Sequence, residues 1–332
     1  MTQQRNITIS YLRVAALLSI LFHHTICMYG GWPPLANPFS VSMPPHIGLM
    51  SASAKGIGLN FFTFISGFVL FYQTKKQQSF PKFLWKKIVR ILIPCIVFGF
   101  AYWLIFPDLM FNNDPINGTH LWFLPMIFLS IVVVSVHFYI PKPFWIVIAL
   151  YAILYKLGNY TTLRTLHEFR FYFMIFYAGF GFNALLSGVN IKETLSLYFS
   201  NKWAIGLLGL ALLLSPLYVK VLKFAPVPTQ ILPIVLGCII VYYITLYAQP
   251  ILSKLDNIVL LFDRNSFAIY LLHQFVINTW CTLGYQWIAS APFAISMPAV
   301  FVSTVVIALF LAEGSDRLQK SLIKKRTLLP KS

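Results

Sequence analysis

The sequence predicts an all-α, polytopic integral membrane protein with about ten transmembrane helices. Hydrophobic residues make up 58% of the chain and charged residues only 10%, whereas a water-soluble domain normally carries about a quarter charged residues. Apolar stretches of about 20 residues recur along the sequence, and such a run is long enough to cross a bilayer as a helix. Because these spans use up almost the whole chain, we expect one multi-pass domain over residues 1–332 in a cell membrane, inner or plasma.

Hydropathy places the predicted spans in order, with boundaries that are soft by several residues. They are Ile9–Met28, Gly56–Tyr72, Ile88–Phe106, His120–Tyr139, Phe144–Leu157, Phe171–Ser187, Trp203–Leu222, Gln230–Gln249, Ser266–Ile288 and Phe293–Glu313. Residues 314–332 then form a basic tail.

The distribution of positive charge predicts the orientation. The net charge is +17, but the cations flank hydrophobic segments and do not form a basic domain, so nucleic acid is excluded as a partner. About three quarters of them fall on the side that holds the loop between the second and third spans, and the other, outer side carries Lys55, Lys156, Arg164, Arg170, Lys220 and Lys223. Positive charge is enriched in cytoplasmic loops, so both termini are predicted to be cytoplasmic and the lipid bilayer is the expected surrounding.

The cysteines do not form a metal or redox motif. Cys27, Cys95, Cys238 and Cys281 lie in or near separate apolar runs, with no CxxC pair. We expect them to be small packing residues, and we predict no metal site.

The first span carries Arg13 and His24, two ionisable residues that are costly in a bilayer. Eleven residues turn a helix by about three turns plus 20°, so the two lie on one face, about 16 Å apart along the axis. His23 points about 80° away. Three interpretations stay open: Arg13 anchors the span at the inner interface, His24 is a structural histidine, or both line a polar cavity that holds a reaction.

Polar groups in three other spans have both structural and functional interpretations. Lys87 and Arg90 are neighbours on one helix face. They either anchor the span at the cytoplasmic side or bind an anionic cofactor. His120 opens the fourth span, with Trp122 at the interface. His273 lies one turn after Tyr270 in the ninth span, as a structural pair or part of a polar pathway.

The second span contains Ser66 and Gly67, a small pair that would let another helix approach closely. No base lies nearby in sequence to activate Ser66. Packing is therefore the favoured interpretation.

Together these pieces resemble the membrane acyltransferase-3 family, the O-acyltransferases that modify surface glycans. The resemblance rests on five motifs in the order of the family. They are Leu12-Arg13 through Phe22-His23-His24, Asn60-Phe61-Phe62-Thr63-Phe64-Ile65-Ser66-Gly67-Phe68, Lys87-Ile88-Val89-Arg90 before Pro94, His120-Leu121-Trp122-Phe123-Leu124, and Ile269-Tyr270-Leu271-Leu272-His273.

The resemblance implies transfer of an acetyl or similar short acyl group from cytoplasmic acetyl-CoA to a hydroxyl of a cell-surface or lipid-linked glycan. It implies that His24 is the general base or acyl carrier and that Arg13 steers the donor or orients the site. Lys87 and Arg90 would bind the acyl-CoA phosphates, and His120 and Trp122 would contact the sugar. Tyr270 and His273 would line the channel.

Two other functions are compatible with many spans and intramembrane polar groups. One is a transporter or exporter of polysaccharide or lipid-linked sugar, although the sequence has no detectable internal repeat. The other is a structural subunit of an envelope-assembly complex. Neither the acceptor nor the oligomeric state is specified by the sequence.

Overall fold

The computed structural model describes residues 7–30, 45–74, 79–109, 114, 116, 119–139, 144–161, 163–188 and 227–328, and these ranges contain helices and no strand. The helices in chain order are α1 Ile7–Gly30, α2 Pro45–Thr74, α3 Phe80–Lys87, α4 Ile93–Ile105, α5 Phe123–Tyr139, α6 Phe144–Tyr160, α7 Arg164–Gly188, α8 Val227–Leu252, α9 Asp256–Leu283, α10 Tyr285–Ser290 and α11 Phe293–Leu328. A π-helical turn, Ile88–Leu92, joins α3 to α4, and a 3₁₀ turn, His120–Trp122, leads into α5. The all-α prediction is confirmed.

Several stretches of these residues are long and apolar enough to span a membrane. They are Ile7–Tyr29, His46–Gln73, Phe80–Ile105, Arg164–Leu186, Ile231–Leu283 and Phe293–Ser315, with shorter apolar helices at His120–Val136 and Trp145–Tyr160. The segment Ile231–Leu283 is 53 residues long and covers most of α8 and all of α9. The predicted seventh span, Trp203–Leu222, lies outside the described residues, so the count of ten and the cytoplasmic termini stay predictions.

Two helices begin well before their predicted starts. Helix α2 begins at Pro45 rather than Gly56, and α9 begins at Asp256 rather than Ser266. In α9 the hydropathy pattern stops at Asp263 and Arg264, but the structure pairs each of these charges with an opposite one on another helix. Pairing lowers the cost of a charge next to lipid, so the helix continues through a stretch that looks like a loop.

Helix α1 occupies the centre of the bundle. It packs against α2, α9, α11 and α8, and 61% of the residues in its most apolar stretch are buried. By contrast, only 17% of the residues in the most apolar stretch of Phe80–Ile105 are buried. Apolar side chains such as Phe100 and Leu104 face outwards there. An apolar exterior of this extent suits contact with lipid, since soluble monomers rarely carry such patches.

Helices α1 and α9 run parallel and are joined by an ion pair. Arg13 of α1 donates from its guanidinium to the carboxylate of Asp263 on α9, and Ser10 Oγ donates to the same carboxylate at 2.7 Å. The Asp263 side chain is 0% exposed. Buried charges of this kind require a partner and satisfied lone pairs, so this contact fixes how far along each other the two helices sit.

Helices α2 and α7 cross with their backbones in contact. A Cβ atom added to Gly67 would lie 1.9 Å from the carbonyl oxygen of Phe176, and one added to Gly179 would lie 2.0 Å from that of Phe64. At the same crossing Asn183 donates its side-chain amide to the Phe68 carbonyl at 2.6 Å. Ser66 donates to its own helix, at Phe62 O, so the packing interpretation of Ser66 and Gly67 is confirmed.

Replacing Gly67 by Ala should destabilise the purified protein by about 1–3 kcal/mol, because the added methyl group meets backbone that cannot rotate away. Denaturant titration in mixed micelles measures the change. Gly181→Ala is the matched control on α7, since an added Cβ there has nothing within 4 Å and alanine favours the helix. Equal stability of the two variants would contradict the close crossing.

Replacing Asp263 by Leu should cost about 3–5 kcal/mol, because it leaves the Arg13 charge without its partner. The double variant Arg13→Met, Asp263→Leu should recover part of that loss, since it removes both charges together. The exposed pair of Arg264 with Glu313 supplies the control: Arg264→Gln should change the unfolding free energy by about 1 kcal/mol or less. Additive losses in the double variant would argue against the Arg13–Asp263 pair.

Candidate functional site

Six helices meet around a small cavity of about 50 Å³. Helices α1, α2 and α9 supply most of its wall, and α4, α5 with its preceding turn, and the start of α7 complete it. Its lining includes His23, His24, Cys27, Lys55, Tyr102, His120, Trp122, Arg164 and Tyr270. The cavity has room for the groups that react but not for a whole coenzyme.

His24 and His273 form the polar contact between α1 and α9 at this level. His24 Nδ1 lies 2.7 Å from His273 Nε2, with the rings nearly parallel. His273 Nδ1 lies 2.6 Å from the carbonyl oxygen of Tyr270, and a carbonyl can only accept, so this nitrogen carries a proton. With both rings neutral, His273 Nε2 accepts from His24 Nδ1–H, and His24 keeps its lone pair on Nε2.

The consequence for chemistry is a positioned base. His273 is 0% exposed and serves to hold the tautomer and orientation of His24, as a second hydrogen bond does for histidine in many sites. His24 is partly exposed and lines the cavity. Its Nε2 lone pair can take a proton from a hydroxyl or attack an acyl carbon.

His120 is held by a reciprocal pair of hydrogen bonds with Tyr270. His120 Nε2 lies 3.1 Å from the Tyr270 carbonyl oxygen and therefore donates to it, and Tyr270 Oη donates to the His120 carbonyl at 2.7 Å. His120 Nδ1 is then an acceptor, buried and without a hydrogen-bond partner among the residues that the structure describes. The ring lies 4.7 Å from that of His273, measured between centroids.

Helix α4 is also hydrogen-bonded to the same turn of α9. Tyr102 of α4 donates its hydroxyl to the Leu271 carbonyl at 2.7 Å and stacks on Phe275. Cys95 of α4 lies 3.8 Å from the Leu121 carbonyl oxygen. The cavity wall is thus cross-linked by hydrogen bonds to backbone, which is how a preorganised site keeps its geometry.

The sequence-based separation of His23 from the site is wrong in one respect. His23 does point to a different side of α1 from His24, but both line the cavity. His23 Nδ1 lies 2.8 Å from Ser51 Oγ and 3.0 Å from the Ser51 carbonyl oxygen, so it is engaged with α2. Cys27 Sγ lies 3.5 Å from His23 Nε2.

Of the three interpretations of Arg13 and His24, a single cavity lined by both is not the one that this cavity supports. Arg13 is absent from the lining residues and is bound to Asp263. The helical spacing put both on the side of α1 that faces α9, and that side holds an ion pair at one level and the imidazole pair at another.

Lys87 and Arg90 lie away from the cavity. Lys87 Nζ donates to the side-chain amide oxygen of Gln73 and lies 5.3 Å from the centre of the Phe83 ring. Arg90 is exposed in the π-helical turn Ile88–Leu92, a feature that is often found at functional sites. Tyr102, at the cavity, follows Lys87 by 15 residues on the same helical run, or about 22 Å.

Three charged residues of this region were missed at the sequence level. Asp263 fell between predicted spans, and Lys55 and Arg164 were counted only as cations of the outer side. A carboxylate inside an apolar span would have singled out Asp263, but that signal can be recognised only once the start of the helix is known. Within the described residues, no group of three or more His, Cys, Asp or Glu side chains is arranged to hold a metal ion.

The fold and the site define a multi-pass membrane protein with a pair of hydrogen-bonded histidines at a cavity within its helix bundle. Residues 6–313 match a family model described as an acyltransferase domain. This chain therefore belongs to the acyltransferase-3 family, in agreement with the resemblance found in the sequence motifs, and it is a membrane acyltransferase. No curated protein and no solved structure matches it.

Proposed function

We propose that the protein is an O-acyltransferase that moves an acetyl or similar short acyl group from acetyl-CoA to a hydroxyl of a cell-surface or lipid-linked glycan. The observation that carries the proposal is the His24–His273 pair, which leaves a lone pair on His24 Nε2 at the cavity. A sugar hydroxyl has a pKa far above neutral pH, so it needs such a base to attack a thioester.

The steps assigned to this chain's residues are few. His24 Nε2 takes the hydroxyl proton as the oxygen attacks the thioester carbon, and the proton then passes to the departing CoA thiolate. If His24 first carries the acyl group, the same lone pair attacks the thioester carbon and CoA leaves as its thiolate. The sugar hydroxyl then attacks the acyl carbon, the bond to His24 Nε2 breaks, and the hydroxyl proton passes through the freed imidazole to the thiolate. In both routes His273 Nε2 holds the His24 ring by accepting the hydrogen bond from His24 Nδ1–H.

His120 and Trp122 are proposed to contact the sugar. The buried Nδ1 of His120 can accept a hydrogen bond from a hydroxyl. The Trp122 ring lines the cavity and offers an apolar face. Tyr270 and His273 would hold this wall in place, since their hydrogen bonds tie the 3₁₀ turn to α9.

The donor's phosphates are proposed to bind at Lys87 and Arg90, on the predicted cytoplasmic side. The cavity is too small for the whole coenzyme, so only the acylated end of the donor arm would enter it, along the wall of α4. Arg13, bound to Asp263, is then a positioning residue that holds α1 against α9. The location in an inner or plasma membrane is part of the same proposal.

The activity is tested with purified protein in liposomes, acetyl-CoA labelled in the acetyl group, and surface polysaccharide as acceptor. Label on the acceptor, with a mass increase of one acetyl group, is the expected result. Accumulation of unmodified acceptor across the vesicle membrane would instead support an exporter, and would overturn the proposal.

His24→Asn should abolish transfer while the protein still inserts and binds the donor, because the amide can replace the Nδ1–H donor but offers no base. His23→Asn is the matched control and should retain most activity, since His23 is engaged with Ser51. Initial rates and binding of labelled CoA check the two variants. Equal losses of rate in both would contradict the assignment of the base to His24.

Replacing Lys87 and Arg90 by Gln should raise the KM for acetyl-CoA about tenfold or more and leave the KM for the acceptor unchanged, because charge-assisted hydrogen bonds to phosphate would be lost. Lys82→Gln, an exposed cation of α3, is the control. Unchanged donor kinetics in the double variant would assign Lys87 and Arg90 to membrane orientation alone.

A further inference from the structure

Two cations border the cavity, and neither is used by the proposed reaction. Lys55 of α2 and Arg164, the first residue of α7, both line it. None of the described residues that line it is Asp or Glu. Both cations are on the predicted outer side, where the positive-inside rule does not favour positive charge, so orientation in the membrane does not account for them.

Arg164 is placed against the proposed sugar platform. Its guanidinium carbon lies 4.6 Å from the centre of the Trp122 ring. Glu168, one turn further along α7, acts electrostatically on Arg164, but it is not among the residues that line the cavity. A guanidinium stacked on an aromatic ring still presents its N–H groups at the ring's edge, where they can bind a carboxylate or phosphate in two-point fashion.

The charge of the reaction gives these cations a further role. The positive charge of Arg164 reaches both His23 and His24, and that of Lys55 reaches His23. When His24 takes a proton, a third positive charge appears in a low-dielectric cavity that has two already. Like charges at this range cost energy there, and a bound anion would lower that cost.

We propose that Lys55 and Arg164 form an anion-binding subsite that takes a carboxylate or phosphate group of the ligand lying against Trp122. The inference deepens the proposed function, on which it rests. The anion can come from an acidic sugar or sugar phosphate of the acceptor, or from a phosphate of the donor, and the chemistry of recognition is the same.

Binding without turnover tests the subsite separately from the transferase activity. The thermal midpoint of the purified protein is measured with glucuronate, with glucose as its uncharged counterpart, with inorganic phosphate and with CoA. A ligand that binds the folded state raises the midpoint. Stabilisation by glucuronate or phosphate but not glucose is expected, and it should disappear in Lys55→Gln and Arg164→Gln. Lys156→Gln, an exposed cation on the same predicted side, should leave it unchanged.

Steady-state kinetics then identify the source of the anion. If the acceptor supplies it, the KM for an acidic acceptor should rise about tenfold or more in each variant. The KM for the carboxyl-reduced acceptor should stay unchanged, as should that for acetyl-CoA. A rise confined to acetyl-CoA would keep the subsite and assign it to the donor. Absence of any anion-specific stabilisation of the wild-type protein, or its persistence in both variants, would overturn the proposal even if acyl transfer is observed.

Discussion

The site depends on the register between α1 and α9, which two polar contacts fix. Arg13 meets Asp263 at one level and His24 meets His273 at the other. The contacts are separated by 11 residues on α1 and 10 on α9, about 15–16 Å of helix in each case. Two parallel helices can satisfy both contacts only in one register. In an apolar surrounding, a change of register would leave the Asp263 carboxylate without its partner and break the His24–His273 hydrogen bond at the same time. The free-energy cost of both losses opposes such a change.

The second constraint is the carbonyl group of Tyr270. It accepts from His273 Nδ1 and from His120 Nε2, so one backbone oxygen sets the tautomer of two imidazoles. Tyr270 Oη and Tyr102 Oη then tie the same turn of α9 to the 3₁₀ turn and to α4. Because these partners are backbone atoms of rigid helices, the lone pairs of His24 and His120 are directed before any ligand binds. Such preorganisation is the usual source of catalytic electrostatics.

The sequence predicted the class of fold and several residues of the cavity, because both follow from short patterns. Apolar runs of membrane length identify helices, and ionisable residues within them are rare enough to single out His24, His120 and His273 one by one. Helical periodicity, however, gives only the direction of a side chain on its own helix. Periodicity could not show that Arg13 and His24 both contact α9, about 15 Å apart along that helix. Nor could it show that His23 lines the same cavity as His24.

The charged residues were harder to predict for a related reason. Hydropathy ends a span at the first cluster of charges, so Asp263 was placed outside the ninth span. Its neutralisation by Arg13 depends on a helix about 250 residues earlier in the chain, and no local pattern encodes that. Lys55 and Arg164 were assigned by the side of the membrane alone. Their position at one cavity depends on how α2 and α7 cross, which the close packing of Gly67 on Phe176 and of Gly179 on Phe64 sets.

The arrangement of charge suits the proposed transfer from a cytoplasmic donor. Lys87 and Arg90 lie near the predicted cytoplasmic end, Lys55 and Arg164 border the cavity nearer the other end, and imidazole and aromatic rings line the cavity. In the proposed reaction the uncharged thioester and hydroxyl meet among these rings, and the charged parts of both reactants stay with the cations. The site also differs from a Ser-His-Asp triad, since the orienting group behind the base is a neutral imidazole and not a carboxylate. The charge that forms on His24 during the reaction therefore has to be balanced by the reactants themselves.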